Sequence, residues 1–188
     1  MKRQFNPEPK LYTIVLLVQD VAGVLSQVAR LFSRKGYNIE SIVSGETDRE
    51  HITRITISIR GDELMIDQIA AQCRKLLPVE MVEIMEESNS IHREMALVKV
   101  KAEDRTARDE IIQLANIFRA KVIDVSHSSL TIEVFGTNSK ITALIGMLRD
   151  FGILEIAKTG TLAISRGPKT IYDGNKLKEE YDYGKNVL

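Results

Sequence analysis

The same order of strand and helix signatures occurs twice along the chain, which restricts it to folds that can be built in tandem from one unit. Leu11 to Val18 is a short, β-branched, mostly apolar run, as expected of a buried central strand. Gly23 to Arg34 sets Val24, Leu25, Val28, Leu31 and Phe32 on one helical face, and Gly36 ends that helix as a C-terminal glycine should. Tyr37 to Glu46 reads as extended, with a polar turn over Thr47 to Glu50. Ile55, Ile57 and Ile59 then alternate with Thr56, Ser58 and Arg60, which predicts a strand with one solvated face. Ile66, Ile69, Ala70, Cys73 and Leu77 form a second helical stripe closed by Pro78, and Val79 to Glu86 completes the series as a strand. The order is β-α-β-β-α-β.

After a polar stretch from Glu86 to His92 the series restarts. Met95 to Val100 is a strand; Ile111, Leu114, Ala115 and Phe118 make a helix face; Lys121 to Ser126 and Ser129 to Phe135 are a strand pair. Ile141, Leu144, Ile145 and Leu148 form another helix, and Ile153 to Ala157 closes the second unit. Two such units predict an α+β chain of two consecutive ferredoxin-like βαββαβ sandwiches, each with helices on one face of an antiparallel sheet. The expected organisation is an N-terminal arm (1–10), a first domain (11–86), a linker (87–93), a second domain (94–167) and a tail (168–188). The tail is charged, holds Tyr172, Tyr181 and Tyr183, and is expected to be mobile, a partner-docking segment being the alternative.

At 188 residues with 44% hydrophobic content, the chain has material for two small cores. Lys+Arg and Asp+Glu balance at 26 each, so net charge supplies no general attraction to nucleic acid or membrane. The single cysteine, Cys73, sits on an apolar helical stripe and is expected to be a buried structural thiol in a reducing, cytoplasmic setting. The polar start MKRQFNPEPK is expected to be neither a signal peptide nor an anchor. His51, His92 and His127 fall in predicted turns or linkers at spacings that match no metal site. No G-x-S-x-G, phosphate loop or dinucleotide fingerprint occurs, which argues against a catalytic site in this chain. RNA-recognition modules of similar topology stack bases on exposed sheet aromatics, whereas these strands carry Ile, Thr and Ser.

One loop carries chemistry. Asp20-Val21-Ala22-Gly23-Val24-Leu25 joins the first strand to the first helix, with Asp20 a candidate cap and Gly23 leaving first-turn N–H groups uncovered. A helix start with free N–H groups and a positive dipole end favours a carboxylate. Asn38 begins the next strand, and its amide could orient a small polar ligand if two units pair. From the residues alone two readings stay open: an effector site, or simply a helix-start glycine and a turn asparagine.

The run D-V-A-G-V-L-S-Q-V-A-R-L-F-S-R-K-G-Y-N-I-E-S from Asp20 resembles the opening of the ACT domain in acetohydroxyacid (acetolactate) synthase small, regulatory subunits. R-I-T-I-S-I-R-G-D-E from Arg54, H-R-E-M-A-L-V-K-V from His92, I-F-R-A-K-V-I-D-V from Ile117 and A-K-T-G-T-L-A-I-S-R-G from Ala157 extend the likeness over about Leu11 to Gly167. The resemblance implies a non-catalytic subunit of a thiamine-diphosphate-dependent synthase in branched-chain amino-acid biosynthesis. That subunit activates a large catalytic partner holding thiamine diphosphate, magnesium and FAD, and confers feedback inhibition by valine. It implies a homodimer through the ACT domains, with the effector at the interface. There Gly23, Val24 and Leu25 would offer backbone N–H groups to the valine carboxylate, and Asn38 of the facing subunit would fix the ligand with Ile39 nearby. Asp20 departs from the asparagine frequent in that family. It could pair with the valine ammonium and would repel a nearby carboxylate. The competing expectation is a free-standing ACT sensor acting on another enzyme or regulator, which leaves the second-unit matches unexplained.

Overall fold

The computed structural model describes residues 10–175, and the rest of the expected N-terminal arm and tail lies outside that span. Two compact units are present. The described residues up to Ile91, together with those from Ala163 onward, form the first, and His92–Leu162 forms the second.

The first unit contains β1 (Lys10–Gln19), α1 (Val24–Lys35), β2 (Ile39–Glu46), β3 (Ile52–Gly61), α2 (Glu63–Cys73) and β4 (Val79–Met85). The sheet order is β2-β3-β1-β4, all antiparallel neighbours. The strand–helix–strand pattern and this order are those of a ferredoxin-like sandwich. Ile14, Leu16 and Val18 of β1 and Ile55, Ile57 and Ile59 of β3 pack against Val24, Val28 and Phe32 of α1 and Ile66, Ile69 and Cys73 of α2. Each such side chain contributes ~1.5–3 kcal/mol by leaving water, which outweighs the sub-kilocalorie local propensities of the segments. Gly36 caps α1 in the left-handed conformation (φ 70°), with backbone N–H bonds at the cap to the Phe32 and Ser33 carbonyls. α2 is capped by Asp62, whose carboxylate accepts the Met65 N–H at 2.8 Å. That helix stops at Cys73, so Leu77 lies beyond it and is 95% exposed instead of continuing the apolar stripe.

The second face of this sheet departs from expectation. Thr56 and Ser58 are only 1% and 2% exposed, so β3 has no solvated face here. On that face Val15, Leu17, Met81 and Met85 are covered by Ala163 and Ile171, with Ile52 and Tyr172 alongside. β1 is thereby buried on both sides, the physical reason it reads as an unbroken apolar run. The covering segment lies in the stretch read as the end of the second domain and the start of a mobile tail. It begins in β9 (Leu162–Ser165), a strand not foreseen, and ends in a short 3₁₀ turn, Ile171–Asn175. A few apolar residues scattered among charges carry no periodicity, so their packing is invisible without the partner face.

The second unit repeats the pattern with β5 (Ser90–Lys101), α3 (Arg105–Ile117), β6 (Lys121–Val125), β7 (Ser129–Gly136), α4 (Asn138–Leu148) and β8 (Ile153–Lys158). Its strand order, β6-β7-β5-β8, mirrors the first, and β9 pairs with β5. β5 begins at Ser90, so most of the expected linker, His92 included, is strand. Ala96, Val98 and Val100 meet Leu130, Ile132 and Val134 beneath Ile111, Ala115, Ile141, Leu144 and Leu148. No helix among the described residues is long and apolar enough to cross a membrane.

Candidate functional site

The β1–α1 loop is built almost entirely by backbone bonding. Gln19 N–H donates to the Pro78 carbonyl at 2.8 Å, and Asp20 N–H to the His51 carbonyl at 2.7 Å. Val21 N–H then turns back to the Gln19 carbonyl at 2.9 Å. Gly23 is the N-cap residue of α1, in the left-handed region (φ 86°), and no side chain caps the helix. Asp20 therefore is not the cap that its position suggested: it is an exposed loop residue upstream of the helix start. A Cβ added at Gly23 would meet nothing within 4 Å, so the glycine serves backbone conformation and leaves open space in front of the helix.

The three expected N–H donors are not equivalent. Val24 N–H is spent on the Val21 carbonyl at 3.2 Å, and its side chain is part of the core. The Gly23 carbonyl accepts the helical bond from Gln27 N–H at 3.0 Å, which leaves its own N–H out of that bond. Leu25 sits in the first helical turn, whose positive dipole end has neither an acidic side chain nor a cap to balance it. Val21 and Leu25, 48% and 43% exposed, supply apolar surface at this helix start. Val21 was absent from the expected set, although its place inside D-V-A-G was the available signal.

Asn38 and Ile39 are elsewhere. They follow α1, whereas Gly23 precedes it, and twelve helical residues separate the two ends by ~18 Å. β2 runs parallel in direction to β1, both being antiparallel to β3, so Asn38 lies at the end of the sheet where β1 starts. Asn38 is exposed, whereas Ile39 pairs with Ile59 and packs partly on the first core. The expected site residues thus fall into two groups, one at each end of α1. No group of metal-ligating side chains able to hold an ion occurs among the described residues. Cys73 is buried, and desolvation pushes its thiol up to about 11.

Residues 14–80 match the family described as AHAS small subunit-like ACT domain, and residues 93–167 match Small subunit of acetolactate synthase. The Probable acetolactate synthase small subunit of Methanothermobacter thermautotrophicus is 46% identical over 164 residues, spanning 87% of this chain and 98% of the relative. The chain belongs to the acetolactate synthase small-subunit family. The Mycolicibacterium smegmatis acetolactate synthase small subunit is 46% identical over 160 residues, 85% of this chain and 94% of the relative. The crystal structure of the acetolactate synthase small subunit from Thermotoga maritima superposes with a TM-score of 0.77 at 40% identity, covering 85% of this chain and 99% of that one. The family and the tandem ferredoxin-like architecture expected from the sequence are both met.

Proposed function

We propose that this chain is a regulatory subunit that activates the large catalytic subunit of acetolactate synthase and makes it sensitive to valine. Valine binds between the ACT domains of two copies of the chain. The observation that carries this reading is the separation of Gly23 and Asn38 to opposite ends of α1, both facing solvent. β2 is an edge strand of its sheet, beside which a second copy can add. A two-fold axis through that edge reverses strand direction and sets the helix start of one copy next to Asn38 of the other. The ligand carboxylate then faces the uncapped helix start, and its isopropyl group meets Val21 and Leu25. Asp20 supplies a carboxylate for the ammonium group. Thiamine diphosphate, magnesium and FAD belong to the catalytic partner in this cytoplasmic complex, and this chain contributes no catalytic residue. Inhibition requires that valine bind one arrangement of the dimer more tightly than another. A coupling of ~1–3 kcal/mol suffices.

The test is calorimetric titration of the full chain with valine, with leucine and isoleucine as comparisons, beside the Gly23→Asp variant. A carboxylate placed in the open space at Gly23 should abolish valine binding and inhibition of the reconstituted synthase while activation persists. Full valine inhibition of Gly23→Asp would refute the site.

A further inference from the structure

Two features of the first unit, far apart in sequence, meet on one small turn. The turn between β2 and β3 is closed by its own bonds. Thr47 N–H and Oγ1–H both donate to the Ile52 carbonyl, at 3.2 and 2.9 Å, and Ile52 N–H donates to the Arg49 carbonyl at 3.2 Å. His51 sits there at φ 62°, a conformation costly for a side chain with a Cβ, and so helps define one shape for the turn. One side of this turn holds the candidate effector loop, through the His51 carbonyl and Asp20 N–H at 2.7 Å. Its other side holds the covering segment. Tyr172 Oη donates to Asp48 Oδ1 at 3.2 Å, and the Arg49 guanidinium lies 3.6 Å from the centre of the Tyr172 ring.

The covering segment is attached by pairing of β9 with β5, by the Arg166 N–H bond to the Asn89 carbonyl at 2.8 Å, and by side-chain contacts beyond them. Ile171 is its buried anchor at the tip, and Ala163 packs where it starts. Arg54 donates to the Ala163 carbonyl at 2.5 Å, and Lys169 reaches Glu83 at 2.9 Å with most of the lysine in solvent. Burial lowers the pKa of Arg54 against the pull of Tyr172 and Glu83. Glu83 Oε2 is buried with no hydrogen-bond partner among the described residues. Past β9 the segment carries no strand pairing and rests on side-chain contacts, the kind of element whose local opening is separable from that of a sheet.

We propose that the β2–β3 turn is a relay, so that the Asp20–Leu25 loop and the Ala163–Asp173 segment each set the other's stability. The segment follows directly on β9, which pairs with β5, so its docking is the structural variable through which occupancy of the loop reaches the rest of the chain. The inference rests on the effector reading for its ligand but not for its mechanical part.

Hydrogen exchange on the full-length chain tests it. Tyr172→Ala should speed exchange across 163–173 and, by about fivefold or more, at Asp20 and its loop neighbours, with the centre of β1 and β3 unchanged. Tyr172→Phe keeps the ring under Arg49 and loses the bond to Asp48, and should give a smaller change in the same two places. It decides the matter if Tyr172→Ala loosens the whole sheet. A freed segment with unchanged loop exchange overturns the relay. In the second arm, saturating valine should alter protection of 163–173 in the parent chain, and Tyr172→Ala should shift valine affinity by about fivefold or more. Valine binding that leaves the segment untouched overturns the relay alone. Absence of binding by valine, leucine and isoleucine overturns the effector reading, while the mutational arm still decides the relay.

Discussion

Thr161 donates its hydroxyl to Glu94 Oε1 at 2.5 Å, the closest of several bonds that satisfy a carboxylate only 5% exposed. Asn138 Nδ2 spans both carboxylate oxygens at 3.1 and 3.2 Å, and Lys158 stands 3.5 Å away. The β8–β9 connection and the start of α4 are thereby pinned to β5. Removing a donor leaves a buried charge short of partners, which is more damaging than never having the pair. Thr161→Val should therefore destabilise the second unit by ~1–3 kcal/mol in urea unfolding, and Asn138→Ala by a similar amount. Glu94→Gln, which keeps an acceptor and removes the charge, should cost less than either. The reverse ranking would show that the network is not what holds this corner.

Cys73 makes stability depend on pH in the alkaline range. Its folded pKa, about 11, lies above the ordinary 9.0 because burial disfavours the thiolate. Between those values the unfolded chain loses a proton that the folded chain keeps, so stability falls as pH rises from 9 toward 11. The expected loss from this group is about 2–3 kcal/mol. Cys73→Val, similar in shape and without a titrating group, should remove that part of the slope in denaturation curves taken at pH 8, 9, 10 and 11. A parallel pair of pH profiles would contradict the assignment.

If the effector site is shared between copies, two inactive variants should rescue each other. Gly23→Asp disables the helix-start half and Asn38→Ala the other half. A mixed dimer places both lesions in one site and leaves the second site intact. Random pairing of the two chains then restores valine binding at about a quarter of the sites. Calorimetry on the refolded mixture measures this, and zero recovery with both variants folded would mean the two residues do not share a site.

Gly36 offers a control on backbone conformation alone. Its φ of 70° is left-handed, while a Cβ there meets nothing within 4 Å. Gly36→Ala should thus cost ~1–2 kcal/mol from strain without any clash, and Gly36→Asn less, because asparagine tolerates this region. Thermal unfolding of the two variants, with valine binding unchanged, is the check.

Most of the fold was legible because it rests on periodicity. Ile55, Ile57 and Ile59 announce a strand and Val24, Val28 and Phe32 a helix face, since one-sided burial repeats at the period of the element. The glycine at position 36 likewise marks a helix end through its own backbone freedom. The candidate site was legible only in part: Gly23 and Asn38 stand out by residue type, yet which atoms are spent was not readable. Val24 N–H is consumed by the Val21 carbonyl, and Asp20 serves the turn through its backbone instead of capping the helix.

The type and order of the elements in the two βαββαβ units, their repetition, and the family were thus readable from the residues, whereas β9 was not. These follow from local spacing and from residues whose own chemistry is distinctive. Only the folded chain shows that Thr56 and Ser58 are buried, that Ile171 returns to cover β1, and that Asp20 N–H bonds the β2–β3 turn at the His51 carbonyl. Each of these depends on a contact between segments distant in sequence, where burial is set by what another part of the chain does and leaves no period for a reader to find.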